Sequence, residues 1–389
     1  MSGGPKITWR VVGAAAVVAV ILLALGWVYN ERPRAAKVVA PPPRVGMRPK
    51  AVASRKLSNV VPPHVMPASG PASVEECGIT KLPSPDDDGS RSASYERVIA
   101  ATPETHDRWE SALLDSSDSH ARAVGLLIRR FELLRAGSPV QAEESRDELV
   151  QLAAGAGDPA LYALAVGQCR KSSADADTAG ACQRISLSEW ARLDPDNAEP
   201  WIAIAQAASR RNDTQAEAVA FARAADTHKI DNESASLLSF GLAELPQGIT
   251  PAEKMSLSIE LIGFESAWGG PELSEIAHYC SIEALRGDET HKECDAVAEL
   301  LVNHGGTILN LGLGVRIGER VGWPSERVKE ILREREALFR LIPDERHSWS
   351  CETVYRTNEF IDKRTQLGEL GALRDIRDAH ASSGQPMSP

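Results

Sequence analysis

Six cysteines, with two histidines beside one pair of them, are the residues of this 389-residue chain whose types and spacing invite chemistry. Cys169 and Cys182 are 13 positions apart, and Cys280 and Cys294 are 14 apart. His278, Cys280, His291 and Cys294 together offer two imidazoles and two thiolates, a zinc-finger ligand set. Against zinc, positions two apart on a helix point about 200° away from each other, which separates His278 from Cys280. The first pair has no histidine nearby at all. A redox pair favours Cys-x-x-Cys spacing, which is absent. Buried free thiols and structural disulfides remain. Each pair brackets an expected helix–turn–helix, with the turn at Ser172 to Thr178 in the first and at Arg286-Gly287-Asp288 in the second. Residues equidistant from the end of a helical hairpin face each other, at a Cα separation of about 5.5 Å that suits a disulfide. The same arrangement occurring twice favours Cys169–Cys182 and Cys280–Cys294 bridges. Cys77 and Cys351 are left over. Their pairing follows only by elimination among the fifteen connectivities that six cysteines allow.

Other motifs fail on their surroundings. Gly312-Leu313-Gly314-Val315-Arg316-Ile317-Gly318 is one residue off the spacing of a dinucleotide loop, and no strand precedes it. Its small residues suit close helix packing instead. Arg286-Gly287-Asp288 spells an adhesion tripeptide, but Gly fits a helix end and Asp the next cap. The nine histidines are scattered and form no His-Glu-x-x-His. Gly-x-Ser-x-Gly and phosphate loops are missing too. The sequence therefore assigns no catalytic, cofactor-binding or metal residues.

The elements that carry the cysteines are helical. Val124, Leu127, Ile128, Phe131 and Leu134 recur on one helical face. Ser138-Pro139-Val140-Gln141 and Thr250-Pro251-Ala252-Glu253 each read as a cap, a first-turn proline and a capping-box partner. Thr214-Gln215-Ala216-Glu217 reads as another box, and Asp158-Pro159 and Trp323-Pro324 as further helix starts. Met255 to Leu261 alternates apolar and polar as a strand does, yet the cap before it and the run to Trp268 favour helix. The run from Glu326 to Arg340 is dense in opposite charges three and four apart, a solvated helix face. About fourteen helices with short connections are expected over residues 94–381.

One junction carries a likeness. Leu193-Asp194-Pro195-Asp196-Asn197-Ala198-Glu199-Pro200-Trp201 resembles the boundary between two tetratricopeptide repeats, where a proline closes one repeat and a bulky residue six positions on opens the next. Phe221 and Ala224 fall where that family places an aromatic and a small residue on the second helix. Glu217 stands at the family's small-residue crossing, between Ala216 and Ala218, and Lys229 stands where the repeat's closing proline would be. The resemblance covers residues 190–231 and implies an all-α, helix-hairpin solenoid of degenerate repeats.

The chain ahead of this body differs in kind. Residues 1–10 are a short tail. Val11 to Tyr29 runs 19 residues without a charge, enough to span a bilayer as a helix. Trp9, Trp27 and Tyr29 sit at its ends as an interfacial belt does. The run ends in Trp27-Val28-Tyr29, a poor cleavage site, so an uncleaved anchor is expected. Residues 31–92 form a Pro-rich basic linker expected to be largely disordered, with a contour of roughly 190 Å. Residues 382–389 form a flexible tail. Residues 1–60 carry a net charge of +9, against −20 for the remainder. Such an acidic body argues against nucleic-acid binding.

Orientation sets two signals against each other. Arg32, Arg34, Lys37, Arg44, Arg48 and Lys50 follow the apolar run and favour a cytoplasmic body. Disulfides need an oxidising compartment and favour a body outside the cytoplasm, at the periplasmic face of a bacterial inner membrane. The latter is the expectation here. The resulting function is a membrane-tethered protein- or peptide-binding scaffold, whose partner and oligomeric state the sequence does not name. The alternative is an all-helical enzyme of the cell envelope, which would need convergent carboxylates in one pocket.

Overall fold

A computed structural model describes residues 77–78, 102–171, 180–230, 236–268, 270–342 and 350–383. All belong to one unit, Ser73–Pro389. Residues 1–10, Val11 to Tyr29, the linker apart from Cys77 and Gly78, the turn Ser172 to Thr178, and residues 384–389 lie outside the described residues. No helix among the described residues is long and apolar enough to cross a membrane.

The fold is all-α, with fourteen α-helices among the described residues. They are α1 Pro103–Asp115, α2 Ser119–Arg135, α3 Pro139–Ala156, α4 Pro159–Lys171, α5 Leu187–Leu193, α6 Ala198–Arg210 and α7 Thr214–Ala225. The second half comprises α8 Ser236–Ala243, α9 Pro251–Trp268, α10 Gly270–Tyr279, α11 Asp288–His304, α12 Ile308–Arg320, α13 Ser325–Phe339 and α14 Cys351–Ser383. Met255 to Leu261 is helical, inside α9, because the buried face continues past its short alternating run. α14 reaches Ser383, so it takes in the first two residues of the expected C-terminal tail.

Capping fixes most of the helix starts, though not always at the expected residue. At α9 both halves of the box form. Thr250 Oγ1 accepts from the Glu253 N–H at 3.2 Å, and the Thr250 N–H donates to Glu253 Oε2 at 2.9 Å. Asp158 Oδ1 accepts from the Leu161 N–H at the start of α4. The box expected at Thr214 does not form: Asp213, one residue earlier, is the cap and accepts from the Ala216 N–H at 3.1 Å. A carboxylate is the stronger acceptor toward the partly positive helix end. Ser138 makes no side-chain cap bond, so that expected box does not form. Proline at the first position leaves one fewer N–H to satisfy there.

Consecutive helices pack as hairpins, most extensively α6 with α7, α11 with α12, and α2 with α3. Phe221 and Ala224 of α7 are buried. The Trp201 indole N–H points to the Pro195 carbonyl at 3.4 Å. Lys229 explains its own place. Its backbone N–H donates to Asp196 O at 3.2 Å, a bond proline cannot make, and its ammonium reaches Asp194 at 3.0 Å.

Stacking is not confined to neighbours. α8 packs back on α2, α10 on α6, α11 on α7, and α9 on α14. In a solenoid each repeat touches only the next. Here the α8–α9 hairpin leaves the local stack, and its apolar face covers the first helices. Leu237, Leu238, Leu257 and Leu261 join a core with Trp109, Leu113, Val124, Leu127 and Ile128. The expected apolar face of α2 is therefore buried at Val124, Leu127 and Ile128 but emerges at Phe131 and Leu134, each 45% exposed.

A glycine seam closes the other end. Gly314 faces Leu301 and Val302 of α11 across a gap that a methyl group would overfill. A Cβ at Gly318 would fall 2.2 Å from the Trp323 ring. That ring is held on both sides: its N–H donates to Asp295 at 2.6 Å, and the Arg327 guanidinium lies over its face at 3.7 Å. Gly318→Ala is expected to cost about 1–3 kcal/mol through overpacking. Gly155→Ala, on α3 with open space around it, should instead stabilise by about 0.5–1 kcal/mol. Urea midpoints of the two variants should move in opposite directions.

Candidate functional site

All six cysteines are paired, and none among the described residues is free. Cys169–Cys182 and Cys280–Cys294 bring their Cα atoms to 5.6 and 5.7 Å. Oxidised sulfurs cannot serve as thiolate ligands, so His278, Cys280, His291 and Cys294 do not form a zinc set. The two staples join different kinds of element. Cys169 lies in α4 and Cys182 in a 3-10 turn, Gly180–Arg184. Cys280 follows the end of α10, and Cys294 lies inside α11. The cysteine within an α-helix is thus the first of one pair and the second of the other.

Cys77–Cys351 spans 274 residues with Cα atoms 5.5 Å apart. Cys77 is buried with Ala252 and Met255 of α9 and Val354 of α14. The Ala252 N–H donates to the Cys77 carbonyl at 3.0 Å, so the incoming chain also satisfies an orphan donor of α9. Gly78, at φ +84°, follows in a conformation that L side chains rarely adopt, and a Cβ there would run into Thr250. The Asn358 amide donates to Pro251 O at 2.8 Å, and Lys254 pairs with Asp362 at 2.6 Å. Three separate parts of the chain are therefore tied together at one point.

A buried charge network lies farther along α14. Glu265 of α9 accepts from Arg364 at 2.8 Å and from the Leu238 N–H at 3.0 Å, near the start of α8. Glu369 accepts from the Ile308 N–H at 3.0 Å, at the start of α12, and lies 3.7 Å from Arg364. Two carboxylates thus cap two helices and share one guanidinium. Gly368, at φ +71°, bends α14 just before Glu369. Burial pushes Glu265 up to about 7, against the pull of Arg364 and of the Leu238 N–H. Arg286-Gly287-Asp288 has a structural role as well, with Gly287 as the cap of α11 and Asp288 its first residue.

A different cluster joins α1, α2 and α9. One ligand-type atom each from His106, Glu132 and Glu260 lies within 4.8 Å of the others. His106 Nε2 is 3.4 Å from Glu260 Oε1. A hydrogen bond to Glu260 is the main cause that raises His106 above its usual range, against burial, with Glu132 and Glu110 adding to it. Trp109 meets the imidazole edge-on, with centroids 5.9 Å apart, and is itself fixed by donating to Gly241 O at 2.9 Å. Phe131, beside Glu132, packs edge-to-face on Phe264, one turn beyond Glu260. That contact fixes α2 against α9 at the level of the two carboxylates. Arg135 bonds Glu132 at 2.8 Å, and Arg129 bonds Glu110 at 3.2 Å. The sequence singled out none of His106, Glu132 and Glu260, because only the return of α9 onto α2 gathers them.

No family model matches the chain, nor does any curated protein or solved structure.

Proposed function

We propose that the chain is a membrane-tethered, all-helical scaffold that works outside the cytoplasm and binds a protein or peptide partner. The observation that carries this reading is the Cys77–Cys351 bridge, where the Pro-rich linker is stapled at Cys77 to the helical body. A staple at that point supports a linker whose task is to hold the body at a set place, because it removes play between the two. Three disulfides support an oxidising compartment. Val11 to Tyr29 is then the anchor in a bacterial inner membrane, and the stacked helix hairpins are the binding surface. The enzyme reading gains little from Glu265 and Glu369, since both carboxylates are committed to helix starts.

The test is made on native membranes. Thiols are alkylated with and without a reductant, and neighbours are crosslinked and identified. The expected result is no alkylation before reduction and one recurrent crosslinked protein. Six reactive thiols without a reductant would remove the extracytoplasmic placement. Absence of any stable neighbour would remove the scaffold.

A further inference from the structure

We infer that His106, Glu132 and Glu260 form a binding site for one first-row divalent cation of the zinc class. The three donors come from three helices and are 26 and 128 residues apart in sequence, so no single helical surface explains their meeting. An imidazole nitrogen with two carboxylate oxygens is a donor set that Zn²⁺ accepts. The His106–Glu260 separation of 3.4 Å is long for a strong charged hydrogen bond. It matches the edge of a tetrahedron built with metal–ligand bonds of about 2.0 Å, which is about 3.3 Å.

Charge and access agree with this assignment. Glu132, Glu260 and the nearby Glu110 place three carboxylates around one imidazole. Arg135 and Arg129 engage one oxygen each of Glu132 and Glu110, which leaves Glu132 a second oxygen to offer. The His106 and Glu260 side chains keep 20% and 28% of their surface, so an ion can enter from solvent. Trp109 on the imidazole and the Phe131–Phe264 contact fix the ring and the two helices, as supporting residues around a metal site do. Three protein donors leave one tetrahedral position for water. The site is independent of the scaffold reading and stands or falls by itself.

The test uses the full-length chain in detergent micelles with intact disulfides, titrated with Zn²⁺ by calorimetry and followed by thermal melting with and without Zn²⁺. One Zn²⁺ per chain is expected, with a melting midpoint that rises with free Zn²⁺ and returns on adding chelator. His106→Gln and Glu260→Gln are each expected to weaken binding at least about tenfold and to abolish the shift. Glu132→Gln, at the outer edge of the cluster, provides a third reading if either of those fails to fold. His120→Gln is the control, because His120 also has two carboxylates within 3.2 Å, Asp118 and Asp158. Absence of Zn²⁺ binding, binding unchanged in His106→Gln and Glu132→Gln, or binding lost in His120→Gln instead would each overturn the assignment.

Discussion

Replacing Cys77 and Cys351 together by alanine is expected to destabilise the folded body by about 5 kcal/mol. The reason is the size of the loop. A bridge closing 274 residues removes more freedom from the unfolded chain than one closing 13 or 14, for which about 3 kcal/mol applies. In a body of this size the midpoint of thermal unfolding should fall by about 10 °C. Two local losses add to it: the Cys77 carbonyl no longer stays over the Ala252 N–H, and the small core around Met255 and Val354 opens. Denaturant melts of the three double-alanine variants, one per bridge, check the order. A Cys77/Cys351 variant that melts within about 2 °C of the parent would sink the argument. Limited proteolysis gives a second reading, with new cleavage near residue 77 in this variant alone.

Arg364→Met is expected to cost about 3–5 kcal/mol at pH 8. Its guanidinium is, among the described residues, the ionic partner of Glu265, whose side chain is 4% exposed. Without it a carboxylate stays buried with a single backbone N–H. The cost should fall to about 1–2 kcal/mol at pH 5.5, where the Glu265 carboxyl is protonated and only hydrogen bonds are lost. The native protein should show the same group from the other side. Glu265 titrates near 7 when folded and near 4.5 when not, so the folded chain holds its proton more tightly. Between those values the folded state binds more protons, and stability falls as pH rises. The full effect is about 3 kcal/mol, complete above pH 7. Glu265→Gln keeps an oxygen for the Leu238 N–H and should remove this slope. Urea midpoints of the parent and Glu265→Gln between pH 4.5 and pH 8 test it; parallel curves would exclude Glu265 as the source.

What the sequence made visible was local. Helix-forming periodicity, first-turn prolines and the Thr250 box act over a few residues, and the helices lie where they point. Cys169 with Cys182 and Cys280 with Cys294 are close enough along the chain for spacing alone to suggest their meeting. Asp213 and Thr214 are both good caps one position apart, and only backbone geometry separates them. The return of α8 and α9 onto the first helices had no such signal. Leu237, Leu257 and Leu261 read as apolar positions without an address, since periodicity marks a buried face and not its partner. His106, Glu132, Glu260, Glu265 and Arg364 became significant only through that return. The solenoid expectation has the same limit, because a resemblance over residues 190–231 describes one hairpin and is silent on what packs across it.

The Cys77–Cys351 bridge also decides where tension would travel. A pull between the linker and the far end of α14 would pass from Cys77 through the sulfur–sulfur bond into Cys351, then along the last helix. The residues between the two cysteines, whose sequence separation is 274, would lie outside the load path. Roughly 900 Å of extendable chain is locked away as hidden length while the bond stands. Reduction would return that length to the pulling axis and let the first helices peel off one by one. The redox state of one cystine would thus separate a body that bears force as a short strap from one that unravels.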